Sequence, residues 1–272
     1  MPDLSVIVIT YNEERNIERC LESVRWADEI IVVDSFSRDR TIEIARRFTE
    51  KIIQHEYGGD IPQRERGFAT AKGDWLLYID ADEEVTPDLR DAIVKAATSD
   101  STKDGFYVLR KVQILGQWVF HGGWYPDYTF RLFRKDRYRA EHAEVHGGFT
   151  VDGEKGTLAG CLLHYTYDSI EQYLDKMNAY TSLAVSNKLK DNPQLRASPL
   201  RLVSSPLSHL LRKFFSNKGY KDGTLGFVLA CLNAIYTLAL YSKVWEYRWR
   251  QREGKGVFPP ITNKELSAIH RI

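Results

Sequence analysis

The first hundred residues alternate short apolar runs with helix-spaced stretches, and that alternation leaves the chain very few folds to adopt. Leu4–Thr10 (LSVIVIT) and Glu29–Asp34 (EIIVVD) are continuous and rich in β-branched residues, the pattern of strands covered on both faces. Between them Ile17, Cys20, Leu21 and Val24 recur at helical spacing, and Ile42, Ala45 and Phe48 mark a second helix. Residues 51–54 read as a short third strand, 62–72 as a helix and 75–79 as a fourth strand. Thr86-Pro87-Asp88 then opens a further helix, a capping residue followed by proline at the first helical position. The expected class is α/β: a Rossmann-like, mostly parallel sheet with flanking helices. Such sheets bind ligands at the carboxyl ends of their strands, so the residues that follow each strand carry the functional expectation.

From Gly105 the pattern changes to strand-like runs, FYVLRKVQIL and YTFRLFR, separated by Gly- and His-rich loops. In the second run Arg131 alternates with Phe130 and Leu132, so it is expected to face away from the core, either exposed or holding an acceptor phosphate. A long amphipathic helix follows, opened by a capping box of Ser169 and Gln172. Asn192-Pro193 and Ser198-Pro199 then break the chain and set a boundary at 195/196.

The chemistry centres on Asp80-Ala81-Asp82, two carboxylates at the end of the strand WLLYI. Oxygen ligands in that position suit a hard divalent cation, Mg²⁺ or Mn²⁺, which in turn holds phosphate oxygens. Tyr11-Asn12-Glu13 follow the first strand and Asp34 closes the second. Three strand ends thus offer an aromatic face and carboxylates to one crevice, suited to a base, a ribose and a metal-bound diphosphate. No GxGxxG follows the first strand, which argues against a hydride-transferring dinucleotide enzyme. The net charge of +1 argues against a nucleic-acid partner.

Three segments, VIVITYNEE, IIVVDSFSRDRT and AKGDWLLYIDADEEV, together resemble the family 2 inverting glycosyltransferases of the GT-A fold. GGWYPDYTFRLFR, LLHYTYDSIEQYLDKMNAYT and the GYKDG-containing C-terminal section are similar to the subgroup of lipopolysaccharide-core β-glucosyltransferases. The resemblance implies a nucleotide-sugar-binding half over residues 1–100, an acceptor-binding half with the long helix over 101–195, and a C-terminal section over 196–272. It places Thr10 at the nucleotide sugar, Tyr11 against the base and Glu13 near the ribose, with Asp34 accepting a hydrogen bond from the base. Asp80 would contact ribose or metal, Asp82 would bind the metal, and Arg64 would meet the diphosphate unless it is a solvated helix charge. His164 would add a distal metal ligand. Inverting transfer also needs a general base from the acceptor half. Relatives often carry a His-Glu pair where this chain reads Val145-His146-Gly147, so the candidates are Asp127 and Glu144, with Glu141 and Asp152 behind them. The resemblance makes glucose from a UDP-linked donor the first transfer to test. The contrasting expectation is a catalytically silent scaffold that binds a nucleotide sugar or lipid.

Residues 223–242 hold no charge and approach the length of a membrane span. Asn233, Thr224 and Thr237 dilute the run, basic residues flank both ends, and Tyr241, Trp245, Tyr247 and Trp249 follow it. Residues 196–252 carry ten Lys/Arg against two Asp/Glu. This composition fits a helix lying on an anionic membrane surface, or a docked helical hairpin, better than a span. Three widely spaced cysteines give neither a disulfide framework nor a zinc motif, and the N-terminus lacks a basic signal-peptide flank. The expected location is the cytoplasm, at the inner face of the membrane, where a soluble donor meets a lipid-linked saccharide acceptor.

Overall fold

The computed structural model describes residues 4–98, 102–141 and 148–255. In chain order its elements begin β1 (Leu4–Thr10), α1 (Ile17–Ser23), β2 (Glu29–Asp34), α2 (Thr41–Ala45), β3 (Ile52–Gln54), α3 (Asp60–Thr70), β4 (Trp75–Asp80), β5 (Glu83–Val85) and α4 (Pro87–Thr98). Strands β6 (Lys103–Ile114), β7 (Gln117–Val119), β8 (Asp127–Arg134), β9 (Tyr138–Glu141), β10 (Gly148–Val151) and β11 (Glu154–Tyr167) follow. The chain closes with α5 (Ile170–Asp191), α6 (Pro199–Leu211) and α7 (Gly223–Arg252). The described residues divide into two compact units: those up to Gln113 and from Pro126 to Thr166 form one, and those from Ile114 to Tyr125 and from Tyr167 to Lys255 form the other.

The first unit is a mixed α/β sheet in the order β3-β2-β1-β4-β8-β6-β11-β5. Strands β3, β2, β1 and β4 run parallel, while β8 lies antiparallel to both β4 and β6. The register fixes the site: Thr10 pairs with Asp34, Asp34 with Gln54, and Ile9 with Asp80, so four strand ends finish side by side at one rim. Strand β5 pairs antiparallel with β11, setting His164 opposite Glu83. One face of the sheet packs Val6, Val8 and Leu77 on α1 and α4 through Ile17, Leu21, Leu89 and Ile93. The other packs Ile7, Val33 and Leu76 on Phe68 of α3, within an aromatic group that includes Tyr78, Phe133 and Phe149. At Gly67 a Cβ would lie 2.5 Å from Ile7 Cγ2, so glycine is what lets α3 close on β1.

In the second unit α7 packs on α5 and α6. Val185, Leu195, Leu240 and Val244 form its core, which groups α5 with the C-terminal helices. The Lys243 ammonium lies within hydrogen-bond distance of four acceptors on α5, which share its three protons: Asn178 O (2.6 Å), Asn178 Oδ1 (2.8 Å), Thr181 Oγ1 (2.8 Å) and Ser182 Oγ (2.7 Å); this pins α7 to α5. The polar residues inside the apolar run are satisfied along the helix itself: Asn233 donates to Leu229 O and Thr237 to Asn233 O, both at 3.0 Å. Ser169 caps α5 by accepting from Gln172 N at 3.1 Å, while the Gln172 amide oxygen accepts from Asp168 N rather than from the cap residue itself.

Candidate active site at the carboxyl rim of the sheet

The loops after β1 and β2 are tied to one another. Asn12, at φ +52°, accepts from Arg38 N through Oδ1 (2.8 Å) and donates its own N–H to Ser37 Oγ (2.8 Å). Glu13 N donates to Thr41 Oγ1 at 2.8 Å, and Glu13 Oε2 accepts from Asn16 Nδ2 at 2.8 Å. Tyr11 sits half-buried in the first of these loops. Asp34 is fully buried and accepts from Ser37 N, Ser37 Oγ and Gln54 Nε2. Its oxygens hold the turn after β2.

Asp80 is held between two arginines, Arg64 of α3 and Arg131 of β8. Oδ1 accepts from Arg64 Nη2 at 2.5 Å and Oδ2 from Arg131 Nη2 at 3.3 Å. Burial disfavours the charged carboxylate, but these two guanidiniums outweigh it and hold Asp80 far below the ordinary carboxylate range. Arg64 is buried in α3, so it is not a solvated helix charge, whereas Arg66 is exposed.

Arg131 is buried, not turned out to solvent as expected, because β8 is a central strand covered on both faces from Phe130 to Phe133. It donates to Glu83 Oε1 at 2.7 Å and lies over the Tyr78 ring at 4.8 Å. Glu83 Oε2 in turn accepts from Asp80 N at 2.9 Å. Burial pushes Glu83 up, with Asp80 adding to the shift against the pull of Arg131. Glu83 and Arg110 were not singled out from the sequence. Three acids in a row, Asp82-Glu83-Glu84, and Arg131 inside the apolar YTFRLF run are the signals from which a buried charge network could have been read.

Asp82 stands apart from that network. Its Oδ2 lies 3.2 Å from His164 Nε2, and Thr166 Oγ1 lies 3.2 Å from the other ring nitrogen. Burial lowers the affinity of His164 for its proton, but the Asp82 carboxylate outweighs this and raises its pKa. Among the described residues no set of three acidic, His or Cys side chains is arranged to hold a metal. An Asp82 oxygen beside an imidazole nitrogen nevertheless fits a cation that takes its remaining ligands from diphosphate and water, as Mg²⁺ commonly does.

Of the candidate bases, Asp127 opens β8. Arg110 Nε (2.8 Å) and Nη2 (2.7 Å) both reach its Oδ2, leaving Oδ1 without a partner among the described residues. Asp152 is exposed and paired with Arg139. Glu141 ends β9, and Glu144 lies outside the described residues. Among the described residues three buried side-chain polar atoms have no partner: Thr10 Oγ1, Gln63 Oε1 and Arg64 Nε. Thr10 ends β1, Gln63 donates to Ser35 Oγ at 2.9 Å, and Arg64 binds Asp80, so all three belong to this rim.

The profile of glycosyl transferase family 2 matches residues 5–150. A lipopolysaccharide core biosynthesis glycosyltransferase, LpsC of Rhizobium meliloti, is 25% identical over 255 residues, covering 89% of this chain and 92% of that protein. An uncharacterized glycosyltransferase of Rickettsia prowazekii is 30% identical over 244 residues, covering 84% and 82%. Among solved structures, Staphylococcus aureus TarS 1–349 with UDP-GlcNAc is 17% identical with a TM-score of 0.44, covering 100% of this chain and 91% of that one.

Proposed function

Because the chain belongs to glycosyl transferase family 2, we propose that it moves a hexose, glucose first, from a UDP-linked donor to a lipid-linked saccharide such as lipopolysaccharide core, inverting the anomeric carbon. The observation that carries the site is the trio of unpartnered buried atoms at the rim, Thr10 Oγ1, Gln63 Oε1 and Arg64 Nε. Native proteins leave few such groups unmet, and those that persist mark bound water or ligand.

In this reading Tyr11 supplies an aromatic face for the base and Glu13 a carboxylate for the ribose. Asp34 acts by holding the turn that shapes the pocket. Asp80 acts by aiming Arg64, whose positive charge suits a diphosphate. Asp82 and His164 would hold the divalent cation, which when bound offsets negative charge growing on the leaving diphosphate. The acceptor hydroxyl oxygen forms the new bond to the anomeric carbon as the carbon–oxygen bond to the diphosphate breaks, and a carboxylate takes the hydroxyl proton. Asp127 is the first choice for that carboxylate because Oδ1 is open and its side chain is 33% exposed; Glu144 is the alternative.

The second unit suits a membrane surface. No residue of α6 is buried, and Leu200, Val203, Leu207, Leu211 and then Phe215 form an exposed stripe at intervals of three and four residues. Phe227, Ile235, Leu238, Trp245 and Trp249 are exposed on α7, and Arg201, Arg212, Lys218 and Lys221 add positive charge. Gly219–Arg252 is long and apolar enough to cross a bilayer, but 44% of its most apolar window is already buried within the protein. We therefore place the chain on the cytoplasmic face, held by apolar contact and charge.

The test is a panel of UDP- and GDP-sugars with Mn²⁺ and extracted core saccharide. Product formation with one donor supports transfer; donor binding with no turnover on any acceptor would instead indicate a scaffold.

A further inference from the structure

Strands β6 and β8 are antiparallel neighbours, and their register sets Arg110 opposite Asp127 at the first residue of β8. Opposite charges facing each other across a ladder attract, but this contact is lopsided. Arg110 Nε and Nη2 both go to Asp127 Oδ2, at 2.8 and 2.7 Å, although a guanidinium fork matches the two oxygens of a carboxylate. The third nitrogen turns inward, Nη1 lying 3.5 Å from Glu83 Oε1, the oxygen that also accepts from Arg131. Side-chain exposure rises along this line of contacts, from 0% at Glu83 through 24% at Arg110 to 33% at Asp127. All three residues belong to the first unit. Arg110 is thus held from behind by a fully buried carboxylate, and it grips Asp127 by one oxygen only.

That grip suits a proton acceptor. Oδ2 is occupied and Oδ1 has no partner among the described residues, so an incoming proton has one oxygen to go to. Once Oδ1 is protonated, Oδ2 is a carbonyl oxygen and still accepts both N–H groups. A fork spread over the two oxygens would instead leave an N–H aimed at whichever oxygen took the proton. For stability alone the two-oxygen fork is the better pair. The observed contact survives proton transfer without rearrangement, which is what a preorganised group requires.

We infer that Arg110 is a positioning residue for the transfer: by holding Asp127 Oδ2 against the buried Glu83 it presents Oδ1 to the acceptor hydroxyl. The hydroxyl proton goes to Oδ1, the hydroxyl oxygen's electron pair forms the bond to the anomeric carbon, and the pair of the breaking carbon–oxygen bond leaves with the diphosphate. This role rests on the transfer reading, with Asp127 as the base.

A double-mutant cycle on kcat tests it, using the UDP-sugar that gives product on extracted core saccharide. Arg110→Met is expected to lower kcat by about tenfold to a hundredfold, the scale of a misplaced catalytic group, with donor KM within about threefold of wild type. In an Asp127→Asn background the same change should cost less than about threefold, because residues that act through one another are not additive. An equal loss in both backgrounds would make Arg110 a structural partner of Glu83 and overturn the positioning role, as would wild-type kcat in Arg110→Met. Arg110→Lys keeps the charge beside Glu83 but lacks the fork; with a urea midpoint showing it folded, its kcat should fall at least about fivefold. Wild-type turnover there also overturns the role, and this variant carries the test if Arg110→Met does not fold. Failure of the transfer reading itself looks different. Wild-type turnover in Asp127→Asn removes Asp127 as the base, and no turnover by the wild-type chain with any donor removes transfer; the role of Arg110 falls with either. A slow Asp127→Asn beside an unimpaired Arg110→Met contradicts Arg110 alone.

Discussion

The Arg131 guanidinium donates to the Glu83 carboxylate at 2.7 Å, with side-chain exposures of 5% and 0%. Because the same nitrogen also reaches Asp80, replacing the arginine leaves two carboxylates short of a counter-charge in the interior. Arg131→Met is expected to destabilise the fold by about 3–5 kcal/mol, the usual cost of breaking a buried ion pair from one side. Urea unfolding measures it. A loss under about 1 kcal/mol, the scale of an exposed pair, would mean that the network is solvated in solution.

Asp127 gives the next expectation. Asp127→Asn keeps a hydrogen-bond acceptor for Arg110 but cannot take a proton. It should lower kcat by about 10²–10⁴, the range for a general base, while donor KM stays within about threefold. Asp152→Asn, at an exposed position paired with Arg139, should leave kcat unchanged. Near-wild-type turnover in Asp127→Asn would move the assignment to Glu144.

The sequence made the rim legible and the wiring behind it much less so. Buried strands declare themselves by continuous β-branched runs, and β1 and β2 begin and end where those runs do. Parallel register then aligns Thr10, Asp34 and Asp80 with no further information. Which oxygen faces solvent is a different matter. Asp34 and Asp80 look like ligand contacts from spacing alone, but their partners Gln54, Arg64 and Arg131 lie 20, 16 and 51 residues away. No local pattern encodes such distant pairing. Arg131 faces inward for a related reason: alternation assumes one wet face, and β8 has none between Phe130 and Phe133.

Acid stability should depend on Glu29. It is 8% exposed, and burial alone would push its carboxyl up. Hydrogen bonds from Lys51, Ser5 and the Lys72 N–H (2.8 Å) outweigh that and hold it below its ordinary 4.5. The folded state therefore holds this proton less tightly than the unfolded chain. Its contribution is complete above the unfolded value and is lost as pH falls through the folded one. Glu29→Gln should cost about 1.5–3 kcal/mol at pH 7, and the gap from wild type should narrow steadily below pH 4.5 in urea titrations. A gap independent of pH would show that the carboxylate's charge has no part in it.

Membrane attachment is expected to follow the α6 stripe. Leu207→Glu with Leu211→Glu places charge on two exposed apolar positions and should cut sedimentation with anionic vesicles at least tenfold, given roughly 1.5–3 kcal/mol per buried side chain. High salt should release part of the wild-type protein by screening its basic residues. Retention of the double variant on vesicles would point to α7 as the anchor.

Nucleoside diphosphate release from a UDP-sugar, followed before and after EDTA, tests sugar-nucleotide cleavage at the rim most directly. Release should stop with chelator, return with Mn²⁺, and be absent from a folded Asp82→Asn protein, with His164→Ala raising the Mn²⁺ needed for half activity by about tenfold or more. Release that persists in EDTA, or that survives in Asp82→Asn, would contradict it.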